Sequence, residues 1–87
     1  MENLKKIKFE DCNLMVYVKT KNKFEPLSSL QNLTFAPNLM YACLIPFEKL
    51  ETLKNWANSQ ADLFIKYNYS LQIRSSKDRK KVLYQIN

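Results

Sequence analysis

Ile65-Lys66-Tyr67-Asn68-Tyr69-Ser70-Leu71-Gln72-Ile73-Arg74 decides the fold, because apolar and polar side chains alternate through this stretch without a fault. An extended chain sends successive side chains to opposite faces. Ile65, Tyr67, Tyr69, Leu71 and Ile73 therefore share one face, and Lys66, Asn68, Ser70, Gln72 and Arg74 the other. The pattern predicts a strand half-buried in a sheet. Residues 80–86 supply a return strand with Val82, Tyr84 and Ile86 on one face, and Ser75-Ser76-Lys77-Asp78-Arg79 joins the two as a loop longer than a two-residue turn.

Upstream, residues 46–60 predict the main helix. Pro46 suits a first helical position, Glu48 and Glu51 lie near the positive end of the helix dipole, and Phe47, Leu50, Leu53 and Trp56 or Ala57 recur as one apolar stripe. Residues 38–45 contain an unbroken apolar run from Leu39, the pattern of a central strand buried on both faces. Residues 5–9 alternate and residues 14–21 are rich in β-formers, which predicts a second hairpin turning at Asp11-Cys12-Asn13. Residues 26–33, with Leu27, Leu30 and Leu33 behind Pro26, fit either a short helix or a loop pinned by leucines.

These elements give one α+β domain over residues 1–87: a mostly antiparallel five-stranded sheet with one main helix packed on one face. The same order of elements occurs in the OB-fold, the alternative architecture. Small barrels use glycine at their sharp bends and this chain has none, which favours the open sheet. Positive φ angles are then expected on Asn or Asp, with Asn13, Asn22, Asn38 and Asp78 as the candidate turn positions.

Eighty-seven residues, 46% of them hydrophobic, suffice for a single core, with a stability of about 4–13 kcal/mol expected at this length. Cys12 and Cys43 are too few and too far apart for a disulfide framework, and residues 39–47, the longest apolar run, contain Pro46 and are too short to span a bilayer. The basic start is not followed by an apolar signal segment, so a cytoplasmic protein without membrane association is expected.

The net charge of +6 is unevenly spread. Six Lys or Arg face one acid in residues 63–87, whereas two Lys face four acids in residues 25–62. A negative partner is expected, either nucleic acid or an acidic surface of a nucleic-acid-processing protein. Twelve Lys against only two Arg argue against base-specific readout, which exploits the planar guanidinium fork.

The missing residue types narrow the chemistry. Without His there is no imidazole base, triad or imidazole metal ligand, and without Gly there is no phosphate-binding loop or dinucleotide fingerprint. Glu10-Asp11 reads as a turn and Glu48 with Glu51 as helix N-terminal charge, so no acid pair is left for hydrolysis. The expectation is a non-enzymatic binding module with no cofactor and no metal.

Its contact surface is expected around the C-terminal hairpin, at Lys66, Arg74, Lys77, Arg79, Lys80 and Lys81. Tyr67, Tyr69 and Tyr84 are either stacking surfaces or the core face of the sheet, and Trp56 is expected to pack helix on sheet. Two alternatives use the same residues. With nine Asn and twelve Lys, the composition is that of an A/T-rich coding sequence, which fits a phage-type inhibitor that occludes a host enzyme. The segment Lys81-Val82-Leu83-Tyr84-Gln85-Ile86 resembles the late strand of RelE-type RNase toxins. That resemblance covers about ten residues and lacks their opening helices; it implies metal-independent RNA cleavage by Arg74, Lys77, Arg79, Lys81 and Tyr84.

Overall fold

The computed structural model describes residues 13–87. Their elements are β1 (Asn13–Lys19), β2 (Phe24–Ser29), β3 (Thr34–Phe35), β4 (Ile45–Pro46), α1 (Leu50–Ser59), α2 (Ala61–Tyr67), β5 (Ser70–Ser75) and β6 (Val82–Ile86). The predicted strand at residues 5–9, and with it the N-terminal hairpin, lies outside the described residues.

The fold is α+β, with a mostly antiparallel six-stranded sheet, one main helix and a second short one. Strand order is β3-β2-β1-β5-β6, with β4 paired to β1 beyond the end of β2, and among the described residues the path does not close into a barrel. β1 is central because its apolar run serves both faces. Leu14, Val16 and Val18 are buried in the main core, while Met15 and Tyr17 are buried on the opposite face. Along β5 the alternation holds as predicted, with Leu71 and Ile73 in the core and Gln72 and Arg74 on the other face.

The main helix is where the sequence placed it. A 3-10 turn at Phe47–Lys49 leads into α1, which buries Leu53 and Ala57 and packs Phe47, Leu50 and Trp56 against the core. At an approximate 25 cal/mol per Å2, such a stripe supplies the main reason for the helix to form at all, since ten residues are too few for stability in isolation.

Three predicted segments need correction. First, residues 65–67 belong to α2 rather than to a strand, and Ile65 and Tyr67 are exposed. Phe64, only 2% exposed, takes the buried position, seven residues after Ala57 and so on the same side of a helical path. The helix ends at Asn68, in the left-handed conformation (φ 59°, ψ 39°), where the Asn68 N–H bonds the Ile65 carbonyl and the Tyr69 N–H bonds the Phe64 carbonyl at 2.8 Å. This is a Schellman ending with Asn in the place usually held by Gly. Second, residues 38–45 are not a buried central strand. Asn38 Oδ1 accepts from the Met40 N–H at 2.9 Å and turns Leu39–Tyr41 into an exposed 3-10 turn, leaving only Ile45 and Pro46 to pair with β1. Third, residues 26–33 are neither helix nor loop throughout, since β2 runs to Ser29 and places Leu27 in the core. Pro26 has no N–H to offer β1, and the β1–β2 ladder stops there.

Leu33 also takes positive φ (54°), an unusual angle for a bulky residue, while its side chain packs against the core. Of the four candidate turn residues, Asn38 and Asp78 organise turns through their side chains, but among the described residues the left-handed angles fall on Leu33, Asn68 and Asn87. The expected result for Asn68→Ala is a loss of about 1 kcal/mol, a fall in Tm of roughly 4–8 °C, because alanine pays the left-handed penalty. Asn68→Gly should melt no lower than the parent chain. Equal melting of the alanine variant and the parent would refute this account of the helix end.

Candidate nucleic-acid interface

Arg74 is the centre of the candidate site. On the sheet face away from the helices its guanidinium lies 4.2 Å from the centroid of the Tyr17 ring and 5.2 Å from that of Phe24. Antiparallel register explains the contact. Met15 is opposite Arg74 and Tyr17 opposite Gln72, so Arg74 meets Tyr17 on the diagonal. Arg74 Nε donates to Gln72 Oε1 at 2.8 Å, and the Gln72 amide donates in turn to Gln85 Oε1 at 2.9 Å. Gln72 is largely buried, and this short chain satisfies both ends of its amide. The remaining anchor is the loop itself, since Arg74 Nη1 donates to the Arg79 carbonyl at 3.2 Å. The guanidinium is therefore fixed by two rings and two hydrogen bonds while remaining partly exposed.

The loop beyond β5 has its own internal order. Ser75 is fully buried, and its Oγ accepts from the N–H groups of Lys77 (3.1 Å) and Asp78 (3.3 Å). Asp78 Oδ1 accepts from the Lys80 N–H at 3.1 Å, and its carbonyl accepts from the Lys81 N–H at 2.9 Å. Serine and aspartate bonding their following backbone is the usual way such side chains build a turn without glycine. The consequence is outward presentation of Lys77, Arg79 and Lys80, all exposed. Together with Tyr17, Arg74 and Asp78 they line an open concavity of about 510 Å3. Among the described residues Asp78 is the one carboxylate in this lining and forms no ion pair, and the single ion pair between described residues is Lys54–Glu51 on α1.

The six predicted contact residues do not all meet. Arg74, Lys77, Arg79 and Lys80 share the concavity, and Lys81 follows directly in the chain. Lys66 lies apart, on α2, with its ammonium 5.5 Å from the Tyr67 ring. It belongs to the end of the sheet at which Lys19 pairs with Ser70, whereas the loop follows Ser75, roughly 17 Å along β5. Tyr84 is also separate. It pairs with Ile73 on the helix-facing side, and its hydroxyl donates to Asn58 Oδ1 at 2.7 Å. A bulge between Ile73 and Arg74 on the β5–β6 ladder moves Val82 opposite Arg74 and gives the inward place to Leu83. Tyr69 is half-buried against Phe64, while Tyr67 is exposed and stacked on Tyr69 at 5.7 Å. Trp56 packs on the core as expected.

Tyr17, Phe24, Gln72, Gln85 and Ser75 are the site residues that sequence reasoning missed. Gln72 had a signal, sharing the polar face of the alternating strand with Arg74. Tyr17 had none, because only the long-range β1–β5 register brings it beneath the guanidinium.

No family model, curated protein or solved structure matches the chain. No helix among the described residues is long and apolar enough to cross a membrane.

Proposed function

We propose that this chain is a non-enzymatic binding module that holds the phosphate backbone of nucleic acid against its β5–β6 loop. The observation that carries the proposal is the grouping of Arg74, Lys77, Arg79 and Lys80 around one open concavity, with none of them ion-paired to Asp78, the one carboxylate among its described lining residues. Cations so placed can neutralise backbone phosphates, and each such contact releases counterions condensed on the nucleic acid. Arg74, already oriented by Tyr17 and Gln72, loses little side-chain freedom on contact. The three exposed loop cations supply positioning contacts rather than base readout, which agrees with the predominance of Lys over Arg.

The test is retardation of single- and double-stranded DNA and RNA of mixed sequence at 50 and 200 mM salt. Binding is expected at the lower concentration, with little dependence on sequence and at least tenfold weakening at the higher one. Absence of retardation at 50 mM salt would overturn the proposal. Retention instead of an acidic nucleic-acid-processing protein from nuclease-treated lysate would move the same surface to the inhibitor reading.

A further inference from the structure

Residues 26–47 contain no charged side chain, although the chain as a whole carries 22 charged residues among 87. Most of this neutral segment is not core. Leu39 is 46% exposed, Met40 83%, Tyr41 58% and Leu44 53%, all within one short excursion of the chain. The excursion is held at both ends, by the Ala36 N–H on the Pro26 carbonyl and the Cys43 N–H on the Leu27 carbonyl, each at 2.9 Å. Its apolar side chains are thus presented by a backbone tied to the sheet.

We infer that this surface pairs with a second copy of the same chain, forming a two-fold symmetric dimer through Leu39, Met40, Tyr41 and Leu44. Three arguments favour a second copy. The four residues together expose on the order of 500 Å2, over half of the roughly 800 Å2 that each partner buries in a standard stable interface. Pro37 and Asn38, directly before them in the chain, are exposed and uncharged as well. A two-fold axis also brings identical groups together, so any charge near it would meet its own kind. A contact segment without charge is what self-pairing of a strongly basic chain requires. Finally, the Cys43 N–H ties the stretch carrying Leu39, Met40 and Tyr41 to Leu27 of β2, on the opposite side of β1 from the β5–β6 hairpin, so pairing through that stretch is compatible with uncovered basic loops. Depletion of charge together with Met and Tyr at the centre is the usual composition of an interface core.

Sedimentation equilibrium of the full chain between about 1 and 500 μM tests the inference, run at 0.15 and 1 M salt because apolar association survives screening that dissolves a charge-mediated contact. The expected mass approaches twice 10.4 kDa at both salt concentrations. Met40→Glu and Tyr41→Lys, each at an exposed position and each melting like the parent chain, should weaken dimerisation at least 100-fold. Replacement of Lys77, Arg79 and Lys80 by alanine should leave it unchanged, which separates this test from that of the nucleic-acid proposal. A chain that stays monomeric at 500 μM overturns the inference, even if the patch then proves to bind a different protein. A dimer indifferent to both substitutions, or one lost at 1 M salt, also overturns it.

Discussion

Phe64→Ala is expected to cost about 3–5 kcal/mol, which at the lower end of the stability range for a chain of this length leaves little folded protein. Phe64 is almost fully buried and meets Tyr69 edge-to-face at 5.9 Å, so truncation removes both burial and a ring contact. Its neighbour provides the control. Ile65 is 61% exposed on α2, and Ile65→Ala should cost less than about 1 kcal/mol. A strand through residues 65–74 demands the reverse, with Ile65 inside and Phe64 outside. Urea unfolding of the two variants therefore decides between helix and strand at this position, and a larger loss at Ile65 would contradict the fold.

Arg74→Ala has the second large effect, expected at about 2–3 kcal/mol, because it removes a charged hydrogen bond and the cation–ring contacts together. It leaves the largely buried Gln72 oxygen without its Arg74 donor, and it removes the tether from sheet to loop at the Arg79 carbonyl. Arg74→Lys should recover less than half of the loss, since an ammonium has no delocalised plane to set over the Tyr17 ring and does not bond in two directions through a planar fork. Midpoints of urea unfolding measure the effect. If lysine restores full stability, the guanidinium fork is not what matters at this position.

The sequence's legibility differs from element to element for physical reasons. α1 was readable because an amphipathic stripe over three turns is a local pattern, and β1 because a dense run of β-formers seldom does anything else. β5 was readable only from Ser70 onward. The apolar residues at 65 and 67 continued its alternation by coincidence, while the position that decides the helix, Phe64, differs from them in phase alone. The run after Asn38 misled for another reason: apolar side chains imply burial only where nothing local turns the backbone, and the Asn38 side chain turns it at once. In the candidate site, the loop cations and the polar face bearing Gln72 and Arg74 were legible. Tyr17 and Phe24 were not, since strand register is a property of distant pairings that no local window contains.

The proposed interface rests on four cations acting together on phosphate. The most direct test compares the salt dependence of nucleic-acid binding by the parent chain with that of a chain carrying Lys77→Ala, Arg79→Ala and Lys80→Ala. Each phosphate contact contributes about 0.9 to the slope of log affinity against log salt, so loss of three should flatten the slope by about 2.7 while the fold is retained. An unchanged slope in the folded triple variant would place the contact elsewhere on the molecule and contradict the account.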